Sequence, residues 1–230
     1  MKYTPAGPLN VDLTARVLRS QQILVSVAIC ALAFTGFADA ERLVVDTTAD
    51  IVDDDGKLSL REAVANAKAS DEIIFHPSLA GQTIELNSAS GGTLVLTEPL
   101  SITDANDPGV RITANGAFRL FTIDAQGGEV SMSGVQLTDG GSTDKGGALY
   151  VNSGDILTLD NTHVTANSAG DGGGLYNDGG TVNITGCTFA DNVAKGASGS
   201  GGAIFNGPMA KTSIRNTQIV GNRANRAGGG

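Results

Sequence analysis

Three aromatic residues close three versions of one phrase. They are Tyr150 after Gly146-Gly147-Ala148-Leu149, Tyr176 after Gly172-Gly173-Gly174-Leu175, and Phe205 after Gly201-Gly202-Ala203-Ile204. If Leu149, Leu175 and Ile204 point into a core, strand alternation turns Tyr150, Tyr176 and Phe205 outward into one stripe. A flat aromatic stripe binds sugar rings; the same rings also serve simply to cover the outside of a sheet. The titratable residues offer less. A glycoside hydrolase needs two carboxylates at a fixed separation. Asp139, Asp160, Asp171, Asp178 and Asp191 fall in turn-like stretches with no strand face in common. His163 sits in an outward polar slot, and neither it nor His76 is followed by the glycine that pectin hydrolases carry. Asp53, Asp55, Gly56 and Glu62 fall at positions 3, 5, 6 and 12 of an EF-hand frame, but its first position is Ile51, which cannot ligate. No catalytic, cofactor or metal residue is assigned. The one candidate site is the stripe of Tyr150, Tyr176 and Phe205, with surface glycans or matrix proteins as partners.

The elements that must position the stripe follow from the repeats. The second glycine of the phrase recurs at Gly147, Gly173, Gly202 and Gly229, in steps of 26, 29 and 27 residues. A period of this size marks a solenoid with one coil per repeat. A second phrase interleaves with the first, and its apolar residues alternate with polar ones, which is a strand pattern. Val130, Leu157 and Val182, continued by Thr212, make one inward row. Met132, Leu159, Ile184 and Ile214 make another, and Leu137, Val164, Phe189 and Ile219 a third. The 24 glycines of residues 127–230 interrupt any helical periodicity in the repeats. The expected fold is all-β, a right-handed parallel β-helix, because crossovers between parallel strands are right-handed in nearly all cases.

Asn167, Asn192 and Asn222 each follow the third row by three residues. They are expected at a bend, bonded up and down the stack, in the left-handed backbone that Asn tolerates. The paired glycines are expected where side chains are forbidden. Weaker strand patterns at Thr83 to Leu86, Leu94 to Leu96, Leu100 to Ile102, Val110 to Ile112 and Leu120 to Ile123 read as the first coils. The coils thus span 81–230. The last glycines begin a phrase that does not finish, so further coils are expected beyond residue 230.

Residues 41–80 read as an N-terminal cap. Ser59 with Glu62 forms a capping box, and Leu60, Val64 and Ala67 follow at helical spacing. The resulting helix, 59–67, is expected to cover the open end of the core. Leu43-Val44-Val45 and Ile73-Ile74-Phe75 read as strands entering the first coil.

Residues 1–40 read as a secretory signal peptide. Lys2, Arg16 and Arg19 precede the apolar run Ile23 to Ala38, and Ala38-Asp39-Ala40 supplies the cleavage pattern. The run is shorter than the ~20 residues a membrane span needs. Without residues 1–40 the basic count is 12 (15 − 3) and the acidic count 22 (24 − 2), a net charge of −10. That balance argues against nucleic acid and anionic membranes as partners. Only Cys187 then remains, on an inward row with Val135, Thr162 and Thr217, as a small core residue.

The string Ser59-Leu60-Arg61-Glu62-Ala63, with an acidic turn ahead and Asp71-Glu72-Ile73-Ile74-Phe75 behind, resembles the CSLREA motif of secreted bacterial β-helix proteins. Leu58 stands where that motif has its cysteine. Gly201-Gly202-Ala203-Ile204 and Phe189-Ala190-Asp191-Asn192 resemble the GGA-[ILV] and FxxN signatures of polymorphic outer membrane proteins. The resemblance implies export, an outer-membrane, cell-surface or extracellular location, and adhesion. β-Helices host unrelated functions, so two further readings stay open: the N-terminal portion of a polysaccharide lyase or glycoside hydrolase, and a structural spacer.

Overall fold

The computed structural model describes residues 40–229. The segment up to Asp39, read above as a signal peptide and containing Cys30, and Gly230 lie outside the described residues. The described chain is a right-handed parallel β-helix of about 7 turns. Its longest sheet stacks Arg42–Val45, Glu72–Phe75, Ser101–Thr103, Glu129–Ser133, Ile156–Asp160, Thr181–Thr185 and Lys211–Arg215. The second sheet stacks Thr83–Glu85, Arg111–Thr113, Gln136–Thr138, His163–Thr165, Thr188–Ala190 and Gln218–Val220. The third runs through Leu94–Leu96, Phe121–Ile123, Leu149–Val151, Leu175–Asn177 and Ile204–Asn206. A short fourth sheet joins Ser168–Ala169, Val193–Ala194 and Arg223–Ala224.

Register follows the sequence echo. Leu157 pairs with both Val130 and Val182, Leu159 with Met132 and Ile184, and Val164 with Leu137 and Phe189. All of these side chains are buried in one continuous core. The final rung of each row differs. Ile214 is 43 % exposed, and Thr212, Ile219 and Ile204 are only half-buried, because no strand stacks on their open side among the described residues.

The corners explain the rest of the composition. Between first and second sheet the later coils turn in two residues, and the first takes a left-handed backbone: Gly134, Asn161, Gly186 and Asn216. At the next corner the left-handed residues are Asp139, Ala166, Asp191 and Gly221. This corrects one expectation, since the left-handed position is the residue before each ladder asparagine. The asparagines face inward and serve the bonding alone. Asn167 Nδ2 donates to Asn192 Oδ1 at 3.0 Å, and Asn192 Nδ2 to Asn222 Oδ1 at 2.9 Å. Each of these two oxygens also accepts the backbone N–H of the asparagine one coil earlier. The left-handed turn frees main-chain groups, and the amide stack satisfies them inside the core. At the paired glycines, a Cβ on Gly147 would strike the carbonyl of Gly173, and one on Gly173 that of Gly202.

The cap helix is Leu60–Asn66, with Ser59 as its N-cap. Ser59 Oγ accepts from the Glu62 N–H at 3.1 Å, and Glu62 Oε2 accepts from the Ser59 N–H at 2.8 Å. Leu60 and Ala63 join the core, and the helix packs on Arg42–Val45 and Leu94–Leu96.

Candidate functional site

The stripe is built by the third sheet. Leu149, Leu175 and Ile204 pair in register and turn inward, so Tyr150, Tyr176 and Phe205 pair in register on the outer face. Parallel strands lie about 4.8 Å apart, close to the stacking distance of aromatic rings. Identical placement on successive coils therefore stacks ring on ring. Tyr150 and Tyr176 have centroids 5.6 Å apart and planes 10° from parallel; for Tyr176 and Phe205 the values are 4.8 Å and 17°. Tyr176, in the middle, is only 6 % exposed. Ring faces are turned onto one another, so the stripe shows a ligand ring edges and polar tips rather than a flat platform.

Cations and an acid complete the ladder. Arg119 places its guanidinium carbon 4.7 Å from the Tyr150 centroid, and Lys145 its ammonium 4.6 Å from that of Tyr176. Such contacts are favourable when partly desolvated. The Tyr150 hydroxyl donates to Asp178 Oδ2, and Lys145 Nζ lies 3.8 Å from Asp178 Oδ1. Burial, and then the hydrogen bond to Asp178, push the Tyr150 phenol well above its ordinary range. Burial lowers Arg119, which remains a cation. Burial also pulls Lys145 down, but its contact with Tyr176, followed by attraction to Asp178 and Asp144, raises it on balance. Arg119 is fixed in place, its Nε donating to the carbonyls of Lys145 at 3.1 Å and Gly146 at 3.0 Å. The cluster as a whole is a neutral phenol row edged by one carboxylate and two cations. It can form hydrogen bonds and cation contacts. It holds no activated nucleophile.

The other residues singled out in the sequence disperse. Glu62 uses both carboxylate oxygens, one on Ser59 N–H and one on Asp53 N–H at 2.9 Å, and those bonds hold it below the usual carboxylate range. Asp53 and Asp55 accept from Asp54 N–H and Lys57 N–H within their own turn. Asp171 accepts from Ser200 N–H at 2.8 Å and Asp139 from the Thr138 hydroxyl at 3.0 Å. Asp160 ends its strand rather than lying in a turn, and accepts from Asn161 Nδ2. His163 is exposed at the start of its strand. Cys187 is buried, its thiol pushed up by that burial, and its Sγ donates to the Thr185 carbonyl at 3.2 Å.

Arg119 and Lys145 were not singled out from the sequence, and Asp178 only as one of five carboxylates with no strand face in common. Arg119 and Lys145 stand outside the repeated phrases, so no ladder signals them. Arg61 was read only as part of the resemblance, and its role is now specific. Its guanidinium grips Asp50 through Nε–Oδ1 at 2.7 Å and Nη2–Oδ2 at 2.9 Å, and Nη2 also donates to the Gly92 carbonyl at 2.7 Å. Asp50 in turn accepts from Asn87 N–H at 2.7 Å. This buried fork ties the acidic turn and the helix to the first coils.

No helix among the described residues is long and apolar enough to cross a membrane. The chain matches no protein-family model, no curated protein and no solved structure.

Proposed function

We propose that this chain is an exported recognition and scaffold module, presented at a cell surface or released outside the cell. The observation that carries the reading is the outward ladder of Tyr150, Tyr176 and Phe205 with Arg119, Lys145 and Asp178 along it. A rigid β-helix holds those groups at fixed spacing, so a ligand meets them with little ordering cost. Aromatic rings and cations on a preorganised face suit surface glycans or matrix proteins. Export is supported by the charged start, the apolar run and Ala38-Asp39-Ala40. The Ser59 to Ala63 string and the GGA and FxxN phrases, through their resemblance to exported β-helix proteins, point the same way.

The test is a binding screen of the secreted chain against glycans and extracellular-matrix proteins, run beside a polysaccharide cleavage assay. Binding weakened by Tyr150→Ala and Lys145→Ala, without cleavage, is the expected result. Turnover of a polysaccharide, or binding indifferent to both variants, sinks the reading. N-terminal sequencing of secreted material should begin at Glu41 or within a few residues of it.

A further inference from the structure

The early corners between first and second sheet are longer than the later ones, at residues 76–82 and again at 104–110. Later coils pass from first to second sheet in two residues, whereas the strand ending at Thr103 reaches the strand beginning at Arg111 through residues 104–110. The 104–110 loop is held firmly. Asp104 is buried and its Oδ1 accepts the Asn106 N–H at 2.9 Å, while Oδ2 takes that of Val110. Gln136 Nε2 donates to the Gly109 carbonyl at 2.8 Å. A Cβ on Gly109 would strike the carbonyl of Gly134, and one on Gly134 that of Asp104. The loop thus forms a fixed shelf, and below it opens a cleft of about 420 Å³. Its walls are Asn106, Asp107 and Pro108 above, and Gln136, Asn161 and His163 below. Gln136 and His163 are register partners on the outer face of the second sheet.

Asn106 is the second observation. Its Nδ2 is buried without a hydrogen-bond partner, alone in this among the described residues. An orphaned amide is costly and asks for a reason. Asn106 itself lines the cleft, which places that unpaired amide beside any ligand held there. We propose that this cleft binds a neutral saccharide, about one to two sugar rings in size. Three carboxamides and an imidazole converge here, and each offers both a donor and an acceptor. Adjacent sugar hydroxyls need that mixture. Pro108 supplies an apolar face for ring C–H groups. No Lys or Arg lines the cleft, Asp107 adds a negative charge, and the chain is acidic overall, so an anionic ligand is disfavoured.

The cleft lies on a different sheet from the aromatic ladder, and the proposal does not depend on the ladder reading. The test is an amide-detected NMR titration of the full secreted chain. The probes are glucose, galactose, mannose, N-acetylglucosamine, lactose and cellobiose, each taken into the millimolar range. At least one should give saturable shifts at the side-chain amides of Asn106, Gln136 and Asn161. Asn106→Ala and His163→Ala should each weaken that binding about tenfold. Thr188→Ala, one rung beyond His163, and Tyr150→Ala should leave it unchanged. His163 is exposed, so its variant reads binding even if Asn106→Ala disturbs the loop. No saturable shift with any of the six sugars, or shifts unaltered by both cleft variants, overturns the proposal. Loss of the cleft binding alone would leave the ladder reading standing.

Discussion

Ile184 and Ile214 are register partners on adjacent strands of one sheet, yet Ile184 is 1 % exposed and Ile214 43 %. Their local sequences are close echoes, Val182-Asn183-Ile184-Thr185 and Thr212-Ser213-Ile214-Arg215. What differs is the neighbour. Ile184 has a strand on both sides, and Ile214 has one only on the Ile184 side among the described residues. Burial in a solenoid is conferred by the adjacent coil. The other end of the helix meets the same problem differently. There Leu60 and Ala63 close the core, and the Asp50–Arg61 fork fastens them. Inner coils, capped end and last described coil are therefore expected to differ in stability.

The capped end gives the largest expected effect. Arg61→Ala leaves the Asp50 carboxylate buried without its cation, at a cost of about 3–5 kcal/mol. Removing both charges with an added Asp50→Ala should cost less than the two single changes summed. Denaturant titration of the three variants checks this. Additive losses would mean the fork is not what fastens the cap.

The inner coils come next. Phe189→Ala empties a fully buried position and should cost about 3–5 kcal/mol. Ile219→Ala, the next rung of the same row, should cost well under the roughly 2–5 kcal/mol typical of buried Ile→Ala, since Ile219 is only half-buried. Equal losses would erase the distinction between inner and final coils. The asparagine ladder sharpens the same contrast. Asn192→Ala strips partners from Asn167 Nδ2 and from a buried N–H, so a cost of about 1–3 kcal/mol is expected. Asn222→Ala, at the exposed end, should cost a fraction of that.

The coil repeat was legible because its physics is one-dimensional. Identical residues must stack, so period and facing could be read from Met132, Leu159, Ile184 and Ile214 alone. The capping box at Ser59 and Glu62 was legible because it is local. What stayed hidden depends on contacts outside the repeat. Asp50 reaches Arg61 across a turn with no periodic signal, and the loop at Asn106 is visible only as a departure from a two-residue corner. The stripe was legible as to residues but not geometry. The alternation places Tyr150, Tyr176 and Phe205 outward, while the strand spacing turns their faces onto one another.

Acid gives the subtlest test, because the two ends differ in what can titrate. Glu62 is held below the usual carboxylate range by the N–H groups of Ser59 and Asp53, and Asp71 by those of Glu41 and Lys68. Both belong to the capped end. A depressed folded-state value means that the stabilisation is present above the unfolded carboxylate value, about 4, and is lost as pH falls through the folded one. From Val193 to Gly230 the sequence holds no Asp or Glu, so acid has no side-chain carboxylate to protonate in this last described coil. Hydrogen exchange at neutral pH should therefore show the strands Gln218–Val220 and Arg223–Ala224 opening before the helix Leu60–Asn66. Below about pH 4 the protection of the helix should fall, while that of Gln218–Val220, corrected for intrinsic exchange rates, should hold. A parallel loss at both ends would mean that acid acts on the whole stack through its net charge, and that the cap's own hydrogen-bonded carboxylates do not set its stability.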